Sequence, residues 1–248
     1  KAQYDPIDAV LVGDDLALRL YESRVSKEVS SVVQVGSILL DALLNEDIQH
    51  LREQARKKMN IALQAKVVFF SSFPAYEYVL LGASDSVATE ALRLTVAGVE
   101  AAALKSEASM VLIVRSHPRQ SDEEKSHIQQ LQKLVTPANL QILVDPPFSF
   151  DECVQASDIL ACVPTSTLSM LARYRGQRVV FIAYPEGGAD IVLAKLFDTK
   201  EQEILSATPG IHIARSPDDV TLALESKETL VPLVPQGHTV EKILSQIL

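Results

Sequence analysis

The sequence predicts an α/β protein built on a doubly wound parallel sheet, and three observations point to this class. Short apolar runs of strand length alternate along the chain with longer segments that have helical spacing. Several of these runs are apolar at every position, which is typical of strands buried on both faces. Ser, Pro and Gly residues fall at the junctions, where helices begin and end. Strands buried on both faces need helices on both sides, which is the doubly wound arrangement.

Six of the apolar runs define the predicted sheet. They lie near residues 67, 110, 140, 159, 179 and 211. Two earlier runs, at residues 9–13 and 32–36, predict strands that precede this sheet. The spacing of apolar residues predicts the main helices over residues 48–63, 89–104, 121–135, 191–197 and 239–248.

Local capping signals support several of these boundaries. Ser121 and Ser149 are each followed three positions later by a glutamate, the pattern of a capping box. Ser216 precedes Pro217, which suits the first turn of a helix. Gly176 stands where a glycine is expected to end a helix before the strand near 179.

We expect residues 1–31 to be the trailing end of an amino-terminal domain with its linker, and residues 32–248 to form one domain. At 248 residues the chain is long enough for one large or two small domains. It begins at Lys1 rather than Met, so we expect a fragment whose amino-terminal domain lies outside this sequence.

The composition excludes some classes of partner. A net charge of −9 and a pI near 5.1 argue against non-specific nucleic-acid binding, which needs a basic surface. No apolar run approaches the length of a membrane span. Cys153 and Cys162 lack metal-like spacing, so we expect buried free thiols and a reducing compartment. The expected location is the cytoplasm, including the periphery of a membrane, and we expect neither a metal nor a cofactor.

In an open parallel sheet, ligands bind beyond the carboxyl ends of the strands, so the residues just after each strand are the candidates for a site. Arg115, His117 and Arg119 follow the strand near 110 and supply positive charge and hydrogen-bond donors in an acidic protein. Pro118 favours an extended backbone at His117. These residues could hold a phosphate, although a lone loop histidine is more often exposed and idle.

Three hydroxyl residues follow the strand near 159. Thr165, Ser166 and Thr167 stand where the next helix begins, beside amide groups that could hold a phosphate. The alternative is that one of them caps the helix, which is the commoner role of Ser and Thr at such a position. The residues of this turn leave both roles open.

The sequence resembles the carboxyl-terminal half of GT-B glycosyltransferases, nearest to the bacterial capsule, sialyl and Kdo transferases. One motif reads LIVRSHPR, and a later one reads FDECVQASDILACVPTSTLSMLARYRGQRVVFIA, with Asp158 and Gly176 at the places where the family has them. The segments VLVGDDLALRLYES and SVVQVGSILLDALL resemble the junction that opens the second domain, where Gly36, Ser37 and Asp41 match the signature.

The resemblance implies a Rossmann-like domain of the GT-B donor type, which binds a nucleotide sugar such as a UDP- or CMP-sugar. His117 would bind the donor phosphate together with Ser166 and its neighbours Thr165 or Thr167. The turn at Pro147 would line the base, with Phe148 stacking on it or, as the alternative, belonging to the core. From their positions after predicted strands, Arg115 and Arg119 are further candidates for the binding set, and Glu186 either contacts a ribose or lies idle on a surface loop.

The implied function is the donor-binding half of a glycosyltransferase that moves a sugar from a nucleotide sugar to a glycan or lipid acceptor. The resemblance implies that this half is inactive alone, because the catalytic base of inverting members lies in the amino-terminal domain; we therefore assign no catalytic residue. Ala194 stands where retaining members have the second glutamate of an E-x7-E pair. The alternatives are a non-catalytic nucleotide-binding or assembly domain, and a sugar-nucleotide epimerase relative, whose G-H-R-R-E-N stretch is replaced here by SSFPAY.

Overall fold

The computed structural model describes residues 7–12, 14–24, 29–36, 41, 46–133, 136–163, 171–228, 230 and 237–247. The strands are β1 (Ile7–Val12), β2 (Val29–Gln34), β3 (Lys66–Ser71), β4 (Met110–Arg115), β5 (Leu140–Val144), β6 (Ile159–Cys162), β7 (Arg178–Ile182) and β8 (Ile211–Ala214). The α-helices are α1 (Asp15–Arg24), α2 (Ile48–Lys58), α3 (Ala75–Val79), α4 (Val87–Leu104), α5 (Asp122–Gln130), α6 (Phe150–Ala156), α7 (Ala189–Leu196), α8 (Thr199–Ser206), α9 (Pro217–Glu225) and α10 (Thr239–Ile247).

Six strands form one parallel sheet in the order β5-β4-β3-β6-β7-β8. Numbered along the sheet's own strands this is the 3-2-1-4-5-6 order of the Rossmann fold. The order reverses between β3 and β6, which pair directly, with Val68 opposite Ile159. The predicted fold class and all six predicted strands are confirmed.

Burial on both faces of the sheet explains why its inner strands carry continuous apolar runs. In β3, Val68 and Phe70 belong to one core cluster, and Val67 and Phe69 belong to the other. None of the four is more than 1% exposed. Helices α4 and α9 cover the first face, while α2, α6 and α8 cover the second, so the sheet is doubly wound.

Several helix ends lie where the local capping signals predicted them. Ser121, Ser149 and Ser216 each accept a hydrogen bond from the backbone N–H three residues on, in complete capping boxes. Gly176 adopts a left-handed backbone, with φ of 67°. The prediction of a helix over 48–63 is too long, because Asn60 turns left-handed (φ 54°) just after α2 ends.

The first two strands form a separate two-stranded parallel sheet. The predicted boundary between residues 31 and 32 falls within β2, which pairs with β1 and not with the six-stranded sheet. The guanidinium of Arg173, in the helical residues 171–174 that precede β7, forms ion pairs with Asp14 at 3.1 Å and with Asp15 at 3.3 Å. Asp41 accepts hydrogen bonds from the backbone N–H groups of Gly237 and Thr239 at the start of α10. The domain boundary itself stays a prediction.

Asp158 connects the amino-terminal ends of the sheet's strands to α2. Its carboxylate accepts from the backbone N–H of Val67 at 2.7 Å, from Arg56 at 2.8 Å and from Arg52. The Arg56 side chain is only 4% exposed, so Asp158 neutralises a buried guanidinium. Asp158, which precedes β6, therefore has a structural role at the amino-terminal ends of the strands, opposite their carboxyl ends.

Two further findings concern the chain as a whole. Cys153 and Cys162 are both buried and unpaired, as predicted. Among the helices that the structure describes, none combines the length and the apolar character needed to cross a bilayer.

Candidate functional site

The carboxyl ends of three adjacent strands open onto a cavity of about 520 Å³, which we call the donor cavity after the nucleotide-sugar donor that the sequence resemblance implies. Residues 71–72, at the end of β3, line one part of it, and residues 115–118, at the end of β4 and in the loop after it, line another. Asp145, Pro146 and Phe150, which follow β5, complete the lining. Open parallel sheets bind ligands at the carboxyl ends of their strands. Strand β3 is one of the two strands, β3 and β6, between which the strand order reverses.

Asp145 holds two of these loops together. Its carboxylate accepts from the backbone N–H and from the hydroxyl of Ser116, each at 2.7 Å, and from the amide of Gln129 at 3.0 Å. Its backbone is left-handed, with φ of 44°, a conformation that Asp tolerates better than most residues. The loop after β4 is therefore fixed to the loop after β5 at the wall of the cavity.

Arg115 lies on the donor cavity, but its guanidinium is engaged within the protein. It donates to the backbone carbonyl of Phe148 and, at 3.5 Å, to that of Pro146. These bonds hold the turn between β5 and α6. Arg115 lines the cavity and keeps its positive charge, since carbonyl acceptors do not neutralise a guanidinium.

His117 presents one ring nitrogen for a ligand. Its Nδ1 accepts from the backbone N–H of Arg119 at 3.2 Å, so the neutral ring carries its proton on Nε2. Its own backbone N–H donates to the side-chain oxygen of Gln120 at 2.7 Å. The ring thus has a fixed orientation, with a donor available at Nε2.

Gln120 is a positioning residue that the sequence analysis missed. Its buried amide donates to the hydroxyl of Ser72 at 2.8 Å and to the carbonyl of Phe73 at 3.0 Å. It therefore links the loop that carries His117 to the loop after β3. No motif marks it, because its partners lie more than forty residues away in sequence, at separations of 47 and 48.

Arg119 does not line the donor cavity with Arg115 and His117. Its side chain is exposed and forms an ion pair with Glu77 at 2.8 Å. It belongs instead to a second cavity on the other side of the same loop. The three basic residues of the motif are thus divided between two cavities.

The aromatic residue on the donor cavity is Phe150. Phe148 is half-buried and packs against the second core cluster, which is the alternative that the sequence left open. Phe150 lines the cavity with 37% of its surface exposed and packs edge-to-face on Phe69, with ring centroids 5.3 Å apart. It is the first residue of α6, where the Cα–Cβ bond tilts towards the helix amino terminus and so towards the strand ends.

The remaining predicted residues lie elsewhere. Thr165, Ser166 and Thr167 fall outside the described residues. Glu186 is exposed, in the turn after β7, and does not line the donor cavity. That turn packs closely on α4, because a Cβ at Gly187 would lie 2.8 Å from Cα of Val87. The described residues include no group of three or more His, Cys, Asp or Glu placed to hold a metal ion.

No protein-family model matches the sequence, and no curated protein matches it. The wall teichoic acid polymerase TagF, soaked with CDPG, is 14% identical over 88% of this chain and 47% of its own, with a TM-score of 0.49. Os79 from O. sativa, in complex with U2F and trichothecene, is 14% identical over 94% of this chain and 46% of its own, with a TM-score of 0.37.

A UDP-forming α,α-trehalose-phosphate synthase from Burkholderia xenovorans is 11% identical, with a TM-score of 0.41; the match covers 96% of this chain and 57% of that protein. The chain therefore spans about half the length of these three proteins. The fold class rests on the strand order described above and not on these similarities.

Proposed function

We propose that this chain is the donor-binding half of a glycosyltransferase, which holds a nucleotide sugar while its sugar passes to a glycan or lipid acceptor. The observation that carries the proposal is the donor cavity itself. It lies at the carboxyl ends of β3 and β4, beside the reversal of strand order, and His117, whose Nε2 carries the ring proton, is one of its lining residues. Doubly wound sheets bind nucleotides at this position.

The donor cavity suits a nucleoside phosphate in size and chemistry. Its volume of about 520 Å³ lies within the range of small-molecule sites, roughly 300–1,000 Å³. Phe150 and Pro146 provide an apolar wall for a base or ribose, while His117 and Arg115 provide a donor and a positive charge for phosphate. We further propose that Ser166, with Thr165 or Thr167, holds the same phosphate from the start of the next helix.

The proposed reaction is a direct displacement at the anomeric carbon of the donor sugar. The bond between that carbon and the phosphate oxygen breaks, and an acceptor oxygen forms the new bond. The leaving nucleotide gains negative charge, which His117 and Arg115 stabilise through the hydrogen bond from Nε2 and the nearby positive charge. The acceptor's proton passes to a base that we place in the amino-terminal domain. We therefore expect binding without turnover from this chain, in the cytoplasm or at the periphery of a membrane.

A nucleotide panel tests this proposal. UDP, CMP, CDP, GDP and dTDP, and their sugars, are titrated by calorimetry and by thermal unfolding. A ligand at a hundred times its dissociation constant stabilises the fold by about 2.7 kcal/mol, which is readily detected. We expect one base to bind clearly better than the others. Failure of every nucleotide to bind at millimolar concentration would refute the proposal.

One observation favours a second candidate, a non-catalytic assembly domain of the same fold. Arg115 and Ser116, on the wall of the donor cavity, are both engaged by groups of the protein itself. A domain with a lost nucleotide site could retain such bonds for stability alone. The same panel separates the two candidates, because the assembly domain binds none of the nucleotides.

A further inference from the structure

A second cavity, of about 580 Å³, is lined by residues adjacent in sequence to those that line the donor cavity, and we call it the side cavity. Residues 71–72, at the end of β3, line the donor cavity, and residues 75–76, at the start of α3, line the side cavity. Residues 115–118, at the end of β4 and in the loop after it, line the first, and residues 119 and 121 of the same loop line the second. The two cavities are therefore neighbours that share their dividing wall.

The side cavity has an aromatic wall and free polar groups. Tyr76 lines it and is 51% exposed, although large aromatic side chains usually bury most of their surface. Asp85, Glu123 and His127 also line it, and their side chains form no hydrogen bond or ion pair with other described residues. All three side chains are exposed, so their polar groups are available to a ligand. An exposed ring beside available donors and acceptors suits a ligand with both apolar and hydroxyl-bearing faces.

The charges of the side cavity disfavour an anionic ligand. The carboxylate of Glu124 accepts from the backbone N–H groups of Ala75 and Ser121, so it already occupies the positive end of α5. Arg119, the one arginine among the described residues of the lining, is paired with Glu77 at 2.8 Å. The carboxylates of Asp85 and Glu123 remain, and they would repel a phosphate. An uncharged ligand with many hydroxyl groups avoids this repulsion and can donate to both carboxylates.

We propose that the side cavity binds an uncharged saccharide, with Tyr76 stacking on a sugar ring and Asp85, Glu123 and His127 bonding to its hydroxyl groups. Because the side cavity adjoins the donor cavity, we assign it as a subsite for the glycan to which the donor's sugar is added. That acceptor role rests on the proposed function, whereas saccharide binding does not.

The test titrates cellotetraose, maltotetraose and chitotetraose into the protein at millimolar concentrations, with nuclear magnetic resonance or calorimetry as the readout. We expect at least one of them to bind. Tyr76→Ala should weaken that binding about tenfold through loss of the ring, whereas Tyr76→Phe should retain it. Leu104, at the carboxyl end of α4, is another exposed apolar side chain and lies far along the helix from Thr89, which lines the side cavity. Leu104→Ala should leave saccharide affinity unchanged. If no saccharide binds, or if Tyr76→Ala binds as tightly as the parent, the inference is overturned.

Nucleotide titrations of the same variants separate this inference from the proposed function. Tyr76→Ala should bind nucleotides as the parent does, because Tyr76 does not line the donor cavity. Nucleotide binding without saccharide binding would overturn the side-cavity site and leave the proposed function intact. Saccharide binding that needs Tyr76, without any nucleotide binding, would support the site and overturn its role as an acceptor subsite.

Discussion

The amide of Gln120 donates to the hydroxyl of Ser72 at 2.8 Å, which joins the loops that follow the neighbouring strands β3 and β4. The same side chain accepts the backbone N–H of His117 at 2.7 Å. It is 5% exposed, so water cannot replace these bonds. The position of His117 at the donor cavity therefore depends on a bond between neighbouring strand ends.

Gln120→Ala should lower both stability and nucleotide affinity. Removing the amide leaves a buried hydroxyl, carbonyl and N–H without their partner, at a cost of about 1–3 kcal/mol in the free energy of unfolding. Denaturation in urea and titration with the nucleotide that binds best measure the two effects. Gln130→Ala, an exposed glutamine on α5, is the matched control. Unchanged stability would contradict a structural role for the Gln120 amide.

His117→Ala should weaken nucleotide binding with little loss of stability. A hydrogen bond to a charged group contributes roughly 1.5–3 kcal/mol, which corresponds to a ten- to hundredfold loss of affinity. Calorimetric titration and urea denaturation check the two parts. His127→Ala removes a histidine from the side cavity and should leave nucleotide affinity unaltered. Equal losses in both variants would argue against the phosphate role of His117.

Alanine variants of Thr165, Ser166 and Thr167 should separate capping from ligand binding. Loss of the residue that caps the helix costs about 1 kcal/mol of stability. Loss of a phosphate-binding hydroxyl should reduce affinity and leave stability nearly unchanged, and we expect Ser166→Ala to behave in this way. Paired denaturation and nucleotide titration give the answer. The ligand role fails if all three variants lose only stability.

Asp158→Ala should destabilise the protein strongly without affecting the nucleotide site. It leaves the buried guanidinium of Arg56 without its carboxylate, and we expect a loss of about 3 kcal/mol, since Asp158 is itself partly exposed. The exposed pair of Arg93 with Glu90 provides the control, because Glu90→Ala should cost less than about 1 kcal/mol. Urea denaturation measures both. A similar cost for the two variants would contradict the anchoring role of Asp158.

Glu152, in the capping box of α6, should contribute to acid sensitivity. Hydrogen bonding to Lys58 and to Ser149 lowers its pKa from 4.5 to about 2. A lowered carboxyl pKa gives stability that is present above about pH 4.5 and is lost as the pH falls towards 2. Glu152→Gln should remove this part of the pH dependence, so the stability gap between parent and variant narrows at low pH. A gap that is the same at pH 5 and pH 2.5 would contradict the prediction.

The sheet could be predicted because its signal is local. A strand such as β3, apolar at four consecutive positions, can only be buried on both faces. The capping boxes at Ser121 and Ser149 lie within four residues of sequence and were equally readable. The box formed by Asp198 and Glu201 has the same local pattern and was overlooked.

The candidate site could be predicted only in part, because its bonds join distant parts of the chain. The RSHPR motif placed Arg115 and His117 correctly at the strand ends. The partners of Arg115 lie 31 and 33 residues away, so no motif shows that its guanidinium holds the turn after β5. The choice between Phe148 and Phe150 likewise depends on where α6 begins relative to the sheet.

The hydrogen bonds of Asp41 to Gly237 and Thr239 span 196 and 198 residues of sequence. At translation rates of about 5–20 residues per second, they become possible only about 10–40 s after Asp41 has left the ribosome's active centre. By then the last strand of the six-stranded sheet, β8, has already been synthesised. During biosynthesis the amino-terminal segment can therefore be held first through Arg173, and is secured at Asp41 only after residue 239 has been made.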